Sequence, residues 1–380
     1  MREILLLCIL VYFSQGALFA QGTIITQLAL ILILGISSYY FLKVMLLQKQ
    51  KSVFIWAWSL LLSVNVLGYL FTLDLANSVY ISQIKAILMF LLPFFPFYYL
   101  GKKGKINESH LLRFFIIMLV LTILNFSYEK EVILASRISG NTNVVNNISY
   151  QFVVLLPYIF LFKNRIFSIL GLSIILVFTI QAAKRGALIV SVIGAIFFVY
   201  HQLRTVDAKN RIRGYFLAFS GLVFSAFYLY QYFLSNEYLI LRLTQIEEGG
   251  SGRDTIFLNL LSAWYNSDNI FNYIFGHGFA STIRLSSTGN FAHNDWLELL
   301  VNFGLLGFVL YIAIFYGLLK LTYKKGFIDN YRIIILTITS IWFVTTLFSM
   351  IYTSNTSMII TVLLASLIGK KAQRKRLESF

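Results

Sequence analysis

The chain has one cysteine and three prolines, and only 12% of its 380 residues are charged. A single cysteine, Cys8, excludes a disulfide framework and any cysteine-based metal site. So few charges, against about 25% in a soluble domain, exclude an ordinary water-soluble fold. Acids are the scarcest group: 15 Asp and Glu stand against 31 Lys and Arg, a formal net charge of +16. No Walker-type phosphate loop is present, so nothing points to ATP. No polar stretch is long enough to fold separately. One membrane domain over residues 1–380 is therefore expected.

What is present is apolar sequence, 58% of the residues, with a mean hydropathy of +0.78. Apolar stretches fall near 4–20, 24–42, 53–72, 80–100, 111–126, 148–162, 166–183, 186–201, 214–234, 296–319, 333–349 and 356–369. A spanning helix needs roughly 20 apolar residues. The pattern predicts an all-α polytopic membrane protein of about twelve transmembrane helices, with 148–162 and 356–369 the weakest. The N-terminus resembles a signal peptide, but a cut after Ala20 would put Leu18 where a small residue is wanted. It reads as an uncleaved first helix.

Lys and Arg alternate from loop to loop as the positive-inside rule requires. With the N-terminus inside, only Lys85, Lys130, Arg137, Lys184, Arg185, Arg242, Arg253 and Arg284 fall outside. Both termini are then cytoplasmic, and the excess charge reports orientation, so no nucleic-acid partner is expected. The long loop 236–294 between spans nine and ten is placed in the periplasm.

The outside cations oppose the charge bias. Lys184 and Arg185 sit in a tight turn between spans seven and eight, where they either snorkel or hold a lipid-linked phosphate. In the long loop, Ser251 and Asp254 have capping-box spacing, and Ile256, Phe257, Leu260, Leu261 and Trp264 recur on one helical face. This predicts a short amphipathic helix with Arg253 in its first turn, where the dipole attracts anions or the cation is simply exposed. Gly276 to Phe279 form a flexible turn containing His277. Asp295 and Glu298, again at capping-box spacing, begin span ten and suit its dipole. They do not explain His293 and Asn294 just before them. Gly304 and Gly307 mark one face of that helix for close packing. Glu247 and Glu248 read as solvated, and two outside histidines are too few for a metal site.

Taken together, these segments resemble the O-antigen ligase and Wzy-type O-antigen polymerase superfamily. His293-Asn294, nine residues, then Gly304-Leu-Leu-Gly307 is similar to its His-Asn motif. KRGAL at 184–188, GSGRDTIF at 250–257, IFGHGF at 274–279 and RISGNTNVVNN at 137–147 resemble its other outside segments, in order. Lys184 departs from the Ser of many members, and the asparagine loop lacks their proline. The resemblance implies a metal-independent, inverting glycosyltransferase without a cofactor in the bacterial inner membrane. Its donor is an undecaprenyl-diphosphate-linked oligosaccharide, His293 is the base, and Arg185 and Arg253 clamp the diphosphate. Lys184, Asn294, Arg137 and His277 are further candidates for substrate binding. A chain-length regulator and a flippase are expected partners beside membrane lipid. Polymerase is favoured over ligase. The reading from another class is a lipid-linked oligosaccharide flippase, which would show two related halves and a site at mid-membrane; no such repeat is visible.

Overall fold

The computed structural model describes residues 1–20, 22–47, 52–72, 74–138, 146–182, 184–205, 252–286, 289–323, 329–347 and 349–377, with isolated positions between 212 and 235; at 133–138, 329 and 375–377 only the backbone is described. The described chain is helical and contains no strand. Six stretches are long and apolar enough to cross a membrane: Ile24–Leu47, Val53–Leu70, Ser78–Lys102, Glu108–Val132, Arg185–Arg204 and Asp295–Tyr323. Ser149–Leu161 and Arg165–Gln181 are shorter apolar helices. The expected span 214–234 lies outside the described residues apart from isolated positions.

Several elements differ from the pattern read in the sequence, each for a local reason. Helix α1 (Arg2–Phe13) has 12 residues, about 18 Å, where an apolar run to residue 20 was expected. Asn125 stops it: its Nδ2 donates to the Phe13 carbonyl at 2.7 Å, and its Oδ1 accepts from the Ala17 N–H at 3.0 Å. Helices α2 (Ile24–Leu47) and α3 (Val53–Leu70) follow the pattern. The stretch 80–100 divides into α4 (Ser78–Leu91) and α5 (Phe94–Lys102) at Pro93. Proline lacks an N–H and disturbs the preceding turn. The Phe95 N–H turns to the Leu92 carbonyl at 3.1 Å, and the Leu91 carbonyl instead accepts from the Trp58 indole at 2.9 Å. Helix α6 (Glu108–Ile138) runs on through Arg137, which was expected in a loop; the side chain of Arg137 lies outside the described residues. Pro157 likewise makes the next stretch part helix, α7 (Ser149–Leu155), and part 3-10 helix (Leu156–Leu161). Helices α8 (Arg165–Gln181) and α9 (Arg185–Arg204) complete the first half.

In the long loop, α10 (Arg253–Tyr265), α11 (Ile270–Phe275) and α12 (Ser281–Leu285) lead to α13 (Asp295–Tyr323), α14 (Asp329–Thr346) and α15 (Ser357–Leu377). Ser251 of the expected capping box lies outside the described residues; the cap position is Gly252, at φ +67°. Ile256 and Leu260 of α10 bury against Ala292 and Val301, with Phe257 and Trp264 packed beside them, whereas Leu261, expected on the same face, is exposed.

Two elements form the centre. All of 149–161 except the partly buried Tyr150 is buried, and so is every residue from 357 to 369. A helix buried all round must be apolar all round. Gly369 and Gly101 let α15 lie directly on α5: a Cβ at Gly369 would stand 2.3 Å from the Tyr98 carbonyl oxygen. Helix α3 runs antiparallel to α13, with Gly317 against Phe54 at one end and Gly68 against the Phe303 ring at the other. Basic residues gather at one end of this bundle. Arg2 donates to the Lys105 carbonyl at 2.7 Å, Lys43 lies over the Tyr99 ring at 5.0 Å, and Lys371 donates to the Leu321 carbonyl at 2.7 Å.

Helix α13 bends at Gly304, where φ is +60° and ψ −155°. The bend exposes the Val301 and Asn302 carbonyls, which accept from the His277 and Gly278 N–H groups at 2.9 and 3.0 Å. The GHGF turn is thus docked onto the bend, so tightly that a Cβ at Gly304 would lie 2.5 Å from the Ile274 carbonyl carbon. Gly304→Ala is expected to lose on the order of 3 kcal/mol through backbone strain and overlap. Gly35, whose added Cβ meets nothing within 4 Å, serves as the control. Gly35→Ala should stay within about 1 kcal/mol of the parent. Thermal unfolding of both variants in detergent reads the difference.

Candidate functional site

Two carboxylates build the site from within. Asp295 and Glu298 are each 0% exposed. They do not cap α13, as the sequence pattern predicted; Asn294 does. Its Oδ1 accepts from the Trp296 and Leu297 N–H groups, both at 3.0 Å, and its Nδ2 donates to the Leu347 carbonyl at 3.1 Å. With the cap supplied, both acids turn inward.

Glu298 accepts from four groups on four segments. These are Gln83 Nε2 of α4 at 3.2 Å, Thr282 Oγ1 of α12 at 2.6 Å, Asn302 Nδ2 at 3.0 Å and the Ala292 N–H at 3.0 Å. Asp295 accepts from the Tyr311 hydroxyl at 2.6 Å and from the Ile351 N–H at 3.1 Å. The Trp342 indole donates to Tyr311 in turn, at 2.7 Å. A buried carboxylate is tolerated only when its lone pairs are this well used. Glu298 thereby fixes the end of the long loop, and Asp295 fixes the segment between α14 and α15.

His293 lies between these constraints. The Ala292 N–H is held by Glu298 and Asn294 is held by the helix end, and His293 takes φ +52°. Non-glycine residues rarely adopt this region, and such strain collects at functional positions. His293 lines a cavity of about 490 Å³ with Lys184, Asn147, Tyr150, Gln83 and the 349–357 segment. The N-terminal ends of α4, α7, α9, α13 and α15 meet here with the C-terminal end of α14. Among the described residues, no carboxylate lines this cavity.

Lys184 is the cap residue of α9; its ammonium donates to Asn147 Oδ1 and lies 4.7 Å from the Tyr150 ring centre. Arg253 is not a lining residue, but its charge reaches both His293 and Tyr150, which are. Burial, then Arg253, then Lys184, hold the His293 imidazole below the usual histidine range. The arrangement therefore pairs a neutral imidazole with two cations and converging helix N-termini, which suits a proton acceptor beside a bound anion.

The remaining candidates are placed elsewhere. Arg185 is exposed on the first turn of α9, outside the cavity lining; its neighbour Lys184 faces the cavity instead. His277 staples the loop: its N–H bonds Val301, its ring the Ala263 carbonyl, and its own carbonyl accepts from Arg284 at 3.5 Å. Burial holds its imidazole below the usual range. Sequence reasoning missed Gln83, Asn147, Tyr150 and the 349–357 segment. The polar cluster TSNTS there, Thr353 to Ser357, is a signal between two apolar runs. Among the described residues, no three His, Cys, Asp or Glu side chains group as metal ligands do.

Glu298→Ala would leave four donors without their acceptor. A loss of about 3 kcal/mol or more is expected, since each stranded buried donor costs roughly 1–3 kcal/mol. Thermal unfolding should show it, and limited proteolysis should cut 252–294 faster than in the parent. Parent-like behaviour in both would remove Glu298 from its central place.

No protein-family model matches the chain, and no curated protein matches it.

Proposed function

We propose that the chain is a membrane glycosyltransferase, a surface-polysaccharide polymerase. It transfers a glycan from an undecaprenyl-diphosphate carrier to a hydroxyl of the next lipid-linked unit. What carries the reading is one juxtaposition: Lys184 and His293, 109 positions apart, line one carboxylate-free cavity within reach of the Arg253 charge. The resemblance of the surrounding segments to the O-antigen polymerase and ligase superfamily points the same way. Lys184 lines the cavity and Arg185 does not, so Lys184 with Arg253 is assigned to the diphosphate.

The chemistry follows from these groups. The sugar C1–diphosphate bond is already activated. His293 takes the proton of the acceptor hydroxyl as its oxygen attacks C1 from the face opposite the diphosphate. The new C1–O bond forms, the C1–O–phosphate bond breaks with inversion, and the carrier diphosphate leaves with the electron pair. Lys184 and Arg253 stabilise the charge on that leaving group. His293 then returns its proton to water. Neither a metal nor a nucleotide is required by this scheme.

The proposal includes twelve crossings, cytoplasmic termini and a cavity open to the periplasm of the inner membrane. Every chain segment at the cavity is one that the charge pattern assigns to the outside. Alkaline phosphatase fused after Ser286 should be active, and fused at the C-terminus inactive; the reverse pattern discards the assignment.

Transfer should fall as pH drops through the lowered pKa of His293, because only the neutral imidazole accepts a proton. Lys184→Ala removes a neighbouring cation, so protonation becomes easier and the pKa rises. Its acid limb should move to higher pH, beside a roughly tenfold or greater loss of rate. His293→Ala should lose about 10²-fold or more and the limb with it. An unmoved limb in Lys184→Ala would separate the two residues.

Polymerase and ligase differ in acceptor. A strain lacking the chain should keep single repeats on its lipid A-core or carrier and lose the long polymer ladder. Long polymer retained on the carrier beside bare core would assign a ligase.

A further inference from the structure

The cavity has a second, neutral wall opposite in character to its cations. Gln83 is 3% exposed and lines the cavity. Its Nε2 is committed to Glu298, whose other contacts are all donors. That fixes which way round the amide sits: the carboxylate must face the NH₂ group, so Oε1 is left over. Oε1 is buried and has no hydrogen-bond partner among the described residues. Asn355, on the 349–357 segment, presents the same situation. Its Oδ1 is buried without a partner among the described residues, and the residue lines the same cavity. Ser82, Thr356 and Ser357 flank these two amides.

Two unpartnered carbonyl oxygens cannot serve a phosphate, which brings only acceptors. They call for a ligand that brings donors, because an amide oxygen buried without a partner is costly. The cation wall calls for an anion. One molecule answers both: a phosphate ester carrying a hydroxyl-rich group. We infer that Gln83 and Asn355 form a saccharide subsite, accepting hydrogen bonds from the hydroxyls of the sugar that the diphosphate carries, while Lys184 and Arg253 hold the diphosphate. This rests on the proposed glycosyl transfer and names the residues that recognise the sugar itself. Sites built on such hydrogen bonds discriminate strongly against ligands lacking them. The cavity, about 490 Å³, is in the size range of pockets for one small ligand.

The test uses the full-length protein in nanodiscs and two kinds of probe: farnesyl diphosphate without sugar, and farnesyl diphosphate bearing glucose, galactose or N-acetylglucosamine. Calorimetry reads the dissociation constants. The parent should bind at least one sugar-bearing probe tenfold or more tighter than the bare diphosphate. Asn355→Ala and Gln83→Met should each lose most of that gain and bind the bare diphosphate as the parent does. Gln83→Met also strips a donor from Glu298, so Asn355→Ala, which leaves that carboxylate alone, is the decisive variant. Lys184→Ala should weaken both kinds of probe equally. If the bare diphosphate binds through Lys184 but none of the three sugars adds affinity, or Asn355→Ala keeps the whole gain, the saccharide subsite is wrong while the diphosphate site stands. If no probe binds the parent, both the subsite and the proposed transfer fall together.

Discussion

A buried carboxylate ringed by hydrogen-bond donors governs this structure. Glu298 is sealed in the protein, and four donors from four separate segments close around it. An acid so placed is stable only if every donor arrives, so the segments that bring them cannot drift independently. The long loop, the start of α13 and the start of α4 are therefore set by one another. Asp295, one turn away, does the same for the segment between α14 and α15 through the Ile351 N–H and Tyr311. Between Ala292, held by Glu298, and Asn294, which caps α13, stands His293, whose left-handed backbone joins the two.

The bend at Gly304 extends this logic. It frees carbonyls that a straight helix would have used, and the GHGF turn supplies their donors. The sequence pair Gly304 and Gly307 had read as a smooth small-residue face for another helix. The first of them is instead a break in the helix, needed because the turn backbone occupies the space a side chain would fill. Gly307 keeps the smooth role, clearing the Leu299 carbonyl and Phe303.

Much of the architecture was legible because apolar runs dictate helices where every backbone polar group must bond internally. The long, partly exposed helices α2, α3 and α9 follow that rule and were read closely. Pro93 and Pro157 interrupt it, and there uniform runs divide into shorter pieces. The runs that looked weakest, 148–162 and 356–369, hold the bundle's centre, since a segment surrounded by protein need not match the thickness of a bilayer. In the site, Lys184 and Arg253 stand out in the sequence as cations against the loop-to-loop charge alternation, and His293 as a histidine just ahead of an apolar run. Gln83 and Asn355 were not, because a neutral amide gives no signal until its partners are known. Asp295 and Glu298 begin the helix as their position suggests, but not as its cap: spacing alone cannot distinguish an acid that caps a helix from one that turns away from it.

The placement of α15 bears on biogenesis. Chains leave the ribosome N-terminus first. Residues 349–377 therefore reach the membrane after every element they touch, including α5, α4 and α7. Until they arrive, the interior they fill has no occupant, and the Asp295 carboxylate lacks the Ile351 N–H that it accepts from. Insertion and completion of the cavity are thus separate events in time. A nascent chain paused before α15 would be threaded through the bilayer yet lack one wall of the cavity.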